Sequence, residues 1–415
     1  MAEHEQDKPL SGVRVIDLTR YLSGPQATLF LAGLGAEVIK IDDPSTGDPT
    51  AGSPPFYGAE GVSMSRRTPG DLGIAYLKRA RGKRSITLNI KSPQGREILY
   101  RLLETADVLV ENFRVGVSAK LGLDRATVAA RFPRLIHCAI TGYGQSGPEC
   151  EAKAYDLMVQ AAAGLMSITG EPNGAPCKTG SSLTDGIAGS FALSGIAAAL
   201  FQRERTGRGQ FIDVPMVDCL LSLMLDEPLD RYDELGLSLR QGNRIMRFSP
   251  FNSYPTLDDG LVLGAATRAD WEALLDIMGR SDLLDSPTYG DPAWRIQNNE
   301  VIDQLVGAWT STLTTRDALE RLSARDIACA PIRDARTLGD WQHLKARGFL
   351  TALQHPTVTG SSGPLAPGFP LKFSGATTGY DAPASLVGKH TEAVLGSELG
   401  IAAEELVALR RDGII

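Results

Sequence analysis

The sequence predicts an α/β protein: a large domain on a mostly parallel sheet, joined by a smaller α+β domain. Three observations predict this. Short apolar strands alternate with helical stretches from Val13 to about Leu220, and a hairpin signal near Asp258 breaks that alternation. The third is size, since 415 residues with 43% apolar content can bury more than one core. Strands separated by helices require crossovers, and right-handed crossovers give parallel sheets. The expected boundaries are 1–225 for the large domain, 226–335 for the small one, and 336–415 for a segment that returns to complete the first.

In chain order, Val13-Arg-Val-Ile-Asp17 reads as a short buried strand, Gly24 to Leu34 as a small-residue helix, and Ala36-Glu-Val-Ile-Lys-Ile41 as a second strand. After a Gly/Pro/Ser loop, Ser85-Ile-Thr-Leu-Asn89 is a third. Ser92 then caps and Pro93 opens a helix whose apolar face is Ile98, Leu99, Leu102 and Leu103. Asp107–Glu111 and Leu135–Ile140 are further strands, and an apolar helix runs from Gly186 to about Arg203. In the small domain, Phe251–Leu257 and Leu261–Ala265 flank the turn Asp258-Asp-Gly260. Ile302, Leu305, Val306 and Trp309 then follow a helical period. The final helix, Ala402 to Arg411, is too short for its own core and is expected to pack back on the large domain.

Composition excludes several classes. The net charge of −7 argues against a nucleic-acid-coating protein. The most apolar run, Phe191 to Phe201, falls short of the ~20 residues that span a bilayer, and the acidic N-terminus lacks a signal peptide's pattern. The five cysteines are scattered, with no CxxC pair, so no disulfide framework and no zinc site are indicated. Gly33-Leu-Gly35 precedes a strand, and the third glycine of a dinucleotide fingerprint would fall at Val38, which argues against NAD. A cytoplasmic protein without metal is expected.

Two features could carry chemistry. Thr179-Gly-Ser-Ser-Leu-Thr-Asp185 runs into Gly186-Ile-Ala-Gly-Ser, so Asp185 falls where a strand is expected to meet a helix N-terminus. Amides and the helix dipole there keep a carboxylate ionised and can hold an oxyanion, with Gly186 as a donor. Such a carboxylate can be a nucleophile, or simply a helix cap. Lys78-Arg-Ala-Arg-Gly-Lys-Arg84 packs five cations into seven residues, which suits either a polyanion such as a nucleotide phosphate or a solvated loop.

Several segments resemble class III CoA-transferases, the carnitine-CoA and bile-acid-CoA transferase family. They are Leu10-Ser-Gly-Val-Arg-Val-Ile-Asp-Leu-Thr19, Ser23-Gly-Pro25, Leu34–Ile41, Arg81–Asn89, Asp107–Phe113, Ile140–Pro148, Tyr155-Asp156, Thr206–Gln210, Gly388–Glu392 and Leu395–Gly400. The resemblance implies a Rossmann-like large domain and a homodimer of two chains threaded as interlocked rings. It also implies CoA and acyl-CoA as co-substrates with small carboxylic acids as partners. The family's nucleophile lies 29 positions beyond an acidic residue, which from Asp156 is Asp185. The implied reaction passes through an aspartyl anhydride and an aspartyl-CoA thioester. For CoA the resemblance carries over Tyr21, Ser23, Asn112, Phe113, Lys120 and Lys153, with Lys83 and Arg84 as further candidates. For the acid it points to Leu22, Tyr155 and Asp156, where Leu22 replaces the glutamine of formyl-CoA/oxalate enzymes. Arg244 and Arg247 stand where those enzymes have a glycine run, and could pair the second carboxylate of a dicarboxylate such as succinate. Racemases of the same fold carry His where this chain has Tyr155, whose ordinary pKa of about 10 suits proton shuttling poorly. A racemase-like isomerase and a non-catalytic CoA-binding homologue are the alternative readings.

Overall fold

The computed structural model describes residues 8–358 and 363–415; the acidic stretch Met1–Asp7 lies outside them. The chain divides into two compact units. The first comprises residues 1–163, 180–226 and 342–415, and the second 164–179 and 227–341. The stretch 164–179, read from sequence as part of the large domain, thus belongs to the second unit.

The first unit is organised by six parallel strands: β1 (Arg14–Asp17), β2 (Glu37–Asp42), β3 (Lys83–Thr87), β4 (Val108–Glu111), β5 (Ile136–Thr141) and β6 (Phe211–Pro215). Their order is β3-β2-β1-β4-β5-β6, the doubly wound arrangement, with Ile16 paired to Ile39 on one side and Leu109 on the other. The two halves of the sheet diverge between β1 and β4, so the loops after these strands open a crevice at their carboxyl ends. The helices that matter here are α1 (Ser23–Gly33), α2 (Ile74–Arg79), α3 (Pro93–Leu103), α4 (Asp156–Ala162), α5 (Leu183–Thr206) and α6 (Met216–Met224). Ser92 caps α3 as expected, its hydroxyl accepting from the Gly95 amide at 2.9 Å.

One core gathers Ile16, Ile39, Ile86 and Leu109 from the strands, Leu99 and Leu102 from α3, and Val394, Leu395, Leu409 and Ile414 from the chain's end. The return segment therefore completes this unit. Polar contacts pin it to β3: the Ser85 amide donates to His390 Nδ1 at 3.0 Å and the His390 amide to the Ser85 carbonyl at 2.8 Å.

Helix α5 departs from expectation in two ways. A loop precedes it, with no strand before Asp185, and it spans 24 residues. By length and composition it is apolar enough to cross a membrane. Its buried residues, however, are those of a helix laid on a sheet: Thr184, Ala188, Gly189, Ala192, Ile196, Ala199 and Leu200 recur at helical spacing. Gly189 is the point of closest approach to α1, where an added Cβ would stand 2.9 Å from the Ser23 carbonyl oxygen and 3.4 Å from the Ala27 nitrogen.

In the second unit, β7 (Phe251–Pro255) and β8 (Gly260–Gly264) form the expected hairpin, with Tyr254 opposite Leu261. A strand not foreseen, β9 (Ala328–Pro331), adds to β8. Helices α7 (Arg268–Ile277), α8 (Asn299–Thr310) and α9 (Thr315–Ser323) cover one core, in which Ile302 and Val306 are fully buried and Leu305 and Trp309 partly so.

Because the α1–α5 contact has no room for a side chain, Gly189→Val is expected to push the helices apart. Overpacking of this kind costs about 1–3 kcal/mol, which urea unfolding would register as a lower midpoint at unchanged slope.

Candidate active site

The site grows from two loops and one helix end. In the first loop the Asp17 carboxylate is fully buried at the end of β1 and binds the Thr19 amide at 2.9 Å, the Thr28 hydroxyl at 2.6 Å and Lys83 Nζ at 3.0 Å. Against the upward push of burial, the charges of Lys83 and Lys40 and the hydroxyls of Thr19 and Thr28 hold Asp17 below the usual carboxylate range. Asn112, just beyond β4, brackets Arg20: its Oδ1 accepts from the Arg20 amide at 2.9 Å and its Nδ2 donates to the Arg20 carbonyl at 2.8 Å. Between these fixed points Tyr21 adopts a φ of +66°, and α1 begins two residues later with buried Ser23.

The helix end is α5. Its first turn leaves amides unpaired, and Ser182 at the capping position makes no side-chain cap. The cap comes from α4. Asp156 Oδ1 accepts from the Thr184 amide at 2.9 Å, from the Asp185 amide at 3.3 Å and from the Thr184 hydroxyl, while Gln160 holds its other oxygen at 2.7 Å. Asp185 is therefore the third residue of the helix and not its cap. Burial and then the charge of Asp156 push its carboxyl up to about 6, with Ser23's hydrogen bonds and the charge of Arg79 pulling the other way. The helix end does not hold Asp185 strongly ionised, because Asp156 has already taken the amides that would do so.

Asp185 lines a cavity of about 390 Å³ at the sheet's crevice, together with Tyr21, Ser23, Asn112, Phe113, Lys153 and Tyr155. Another cavity, of about 530 Å³, is walled by Arg81 and by residues between 347 and 383, and none of the residues expected to bind CoA or the acid lines it. Lys153 Nζ lies over the Tyr155 ring at 5.4 Å, and Tyr155 meets Tyr21 edge-on at 5.8 Å. Arg114, Cys150 and Met216 also line the cavity and were not anticipated from sequence, although Arg114 directly follows Phe113. Phe113 is shared with a smaller adjoining cavity of about 140 Å³, walled by Leu18, Ile41, Leu88, Val117 and Leu121 with Arg20, Asp42, Asp43 and Lys91.

Other predicted residues fall elsewhere. Lys83 is buried against Asp17, the Pro25 carbonyl and the Thr28 hydroxyl, so it cannot reach a phosphate. Arg84 bridges Glu37 and Glu398 at 2.5 Å each. Arg81 donates to the Lys78 and Pro367 carbonyls and stacks on Tyr380 at 4.4 Å. The basic segment is thus largely internal scaffolding. Arg79 is its member nearest in effect to the site, with a buried Nε lacking a hydrogen-bond partner. Lys120 is exposed and outside the cavity, and Leu22 opens α1 without lining it. The Gly186 amide returns to the Ser182 carbonyl at 3.4 Å, and Gly186 lines a different groove with Phe30 and Phe191, so it is not a donor to Asp185's cavity. In the second unit, Arg244 Nε is held by Asp303 at 2.7 Å, and Arg247 pairs with Glu227 at 2.9 Å.

Comparison with known proteins follows the same lines. Residues 10–391 match the family model of CoA-transferase family III. The chain is similar to a succinate–glutarate CoA-transferase of Agrobacterium fabrum, 34% identical over 93% of this chain and 95% of that one. A formyl-CoA:oxalate CoA-transferase of Streptomyces avermitilis is 34% identical over 98% of this chain and all of its own length. Among solved structures, a CaiB/BaiF family protein from Brucella suis superposes with a TM-score of 0.79 at 30% identity, over 94% of this chain and 100% of that one.

The raised carboxyl has a consequence for stability. With an ordinary pKa near 3.8 unfolded and about 6 folded, the folded state binds more protons between those values. Stability from this group is full below about pH 4 and is lost as pH rises through about 6, by up to about 3 kcal/mol. Asp185→Asn removes that dependence, so its unfolding free energy should gain on the wild type as pH rises from 4 to 6 in parallel urea titrations.

Proposed function

The chain belongs to CoA-transferase family III, and on that premise we propose that it moves CoA from an acyl-CoA donor to a free carboxylic acid through covalent intermediates on Asp185. The observation that carries the reading is a carboxyl raised to about 6 on the wall of a 390 Å³ cavity. At neutral pH it is ionised, yet more basic and so more nucleophilic than a solvated carboxylate.

The steps exchange one activated carbonyl for another. A carboxylate oxygen of Asp185 attacks the thioester carbonyl, the C–S bond breaks, and CoA leaves as thiolate from an acyl-aspartyl anhydride. The thiolate attacks the aspartyl carbonyl and releases the donor acid as carboxylate, leaving an aspartyl-CoA thioester. The acceptor carboxylate displaces the thiolate into a second anhydride, and the thiolate attacks the acceptor carbonyl, giving the new acyl-CoA and free Asp185. No ATP is consumed, because activation is never discharged to water. Ser23, whose hydroxyl and amide act to lower the Asp185 carboxyl, supplies the donors for a developing oxyanion.

Arg114 and Lys153 supply cations for CoA's phosphates at the cavity wall, and the apolar adjoining cavity suits a flat base beyond Phe113. A dicarboxylate is the favoured acid. One relative is named for succinate and glutarate. A second copy of the chain is the proposed cover for the exposed apolar residues Leu183, Phe191, Phe201 and Leu223 on α5 and α6.

Incubation with succinyl-CoA and hydroxylamine trapping, read by intact-protein mass spectrometry, should give an adduct on Asp185 that Asp185→Ala lacks. Its rate of formation should rise with pH through about 6. No adduct from any of several acyl-CoA donors would overturn the mechanism.

A further inference from the structure

Tyr21 combines features that ordinary packing does not explain. Its φ of +66° lies in the left-handed region, and among the described residues the only other non-glycine residue with positive φ is Asp326. Aspartate tolerates that region through local hydrogen bonds, whereas an aromatic side chain does not. The neighbours force the turn. Thr19 is tied to Asp17, Arg20 is bracketed by Asn112, and Leu22 already accepts the first bond of α1 from the Gln26 amide at 2.8 Å. Glycine or asparagine is the residue such a turn favours.

The ring gains little burial in return. Tyr21 remains 48% exposed, lining the cavity of Asp185 and meeting Tyr155 edge-on at 5.8 Å and 85°. Lys153 Nζ stands on the Tyr155 ring, so three residues form one ridge along that wall. Strain held by its surroundings and unrewarded by packing points to a functional use.

We propose that the Tyr21 ring shields the acylated Asp185 from water, so that CoA and carboxylates reach it and water does not. The role rests on the transfer mechanism above. Its intermediates are open to hydrolysis: water attacks the aspartyl carbonyl of the thioester, the C–S bond breaks, and the proton goes to the thiolate. The sum is acyl-CoA plus water giving acid plus CoA. An enzyme that conserves the activated bond must suppress this path, and an aromatic wall beside the nucleophile does so by excluding solvent.

The test is the ratio of hydrolysis to transfer, with free CoA thiol and acceptor acyl-CoA measured in the same reaction. Tyr21→Phe keeps the ring and should leave the ratio of hydrolysis to transfer within about twofold of the wild type's, whatever it does to CoA affinity. Tyr21→Asn and Tyr21→Gly keep the backbone turn without the ring, and each should raise the ratio about tenfold. Their melting temperatures should not fall, since both residues tolerate positive φ. Ser23 follows two residues on, so the pH midpoint of adduct formation is the control, and it should stay near 6 in both variants. An unchanged ratio, or a ratio that rises only with a displaced midpoint, would overturn the shielding role while leaving transfer intact. No adduct on wild-type Asp185 would bring down the transfer mechanism and this role with it.

Discussion

The site depends on a carboxylate that caps a helix it does not belong to. Asp156 starts α4, yet its oxygen accepts the first-turn amides of α5. This contact positions the start of the long helix and brings a second negative charge beside Asp185. Had a local serine capped α5, the helix dipole would have favoured the Asp185 anion without a like charge to oppose it. Burial and then the charge of the capping Asp156 make Asp185 more basic while leaving it ionised at neutral pH. The start of α5, the placement of Asp185 and part of its raised basicity thus share one interaction.

Around it the fold uses buried charge to fix loops. Lys83 and Asp17 are both fully enclosed, and Lys40 pairs with Asp42 and Asp48 at 2.8 Å each. Ion pairs removed from water add little net stability, because desolvation opposes their attraction, but removing one partner leaves a costly orphan charge. Such pairs therefore specify geometry. Here they set the β1–α1 loop at the crevice where the sheet's halves diverge, with Asn112 holding it from β4. The same restraint drives Tyr21 into its unusual turn.

Close helix packing carries the arrangement from the β1–α1 loop to Asp185. Gly189 lies one helical turn beyond Asp185 and rests on the Ser23 carbonyl, which keeps Ser23 within hydrogen-bonding reach of the carboxyl. The outer residues of α5 remain apolar and exposed, so the helix has two faces with different duties.

Much of this was legible in the sequence. Periodicity identified the strands, the capped helix at Ser92 and the hairpin around Asp258, because these follow from local alternation and turn chemistry. Through the family resemblance, the 29-residue interval from Asp156 to Asp185 also pointed to a pair that the fold joins by a hydrogen bond from the Asp185 amide to the Asp156 carboxylate. Sequence could not say what each charge faces. Lys83 reads as a free cation in a basic run, yet its partner Asp17 lies 66 residues away. The cap of α5 comes from 28 residues upstream; burial, and with it the charge of that distant carboxylate, raised the Asp185 carboxyl, and its oxygen took the amides beside it. Local pattern determines which elements form; only the folded chain decides which charges lose their water and what they meet there, because desolvation and pairing depend on neighbours that sequence order does not reveal.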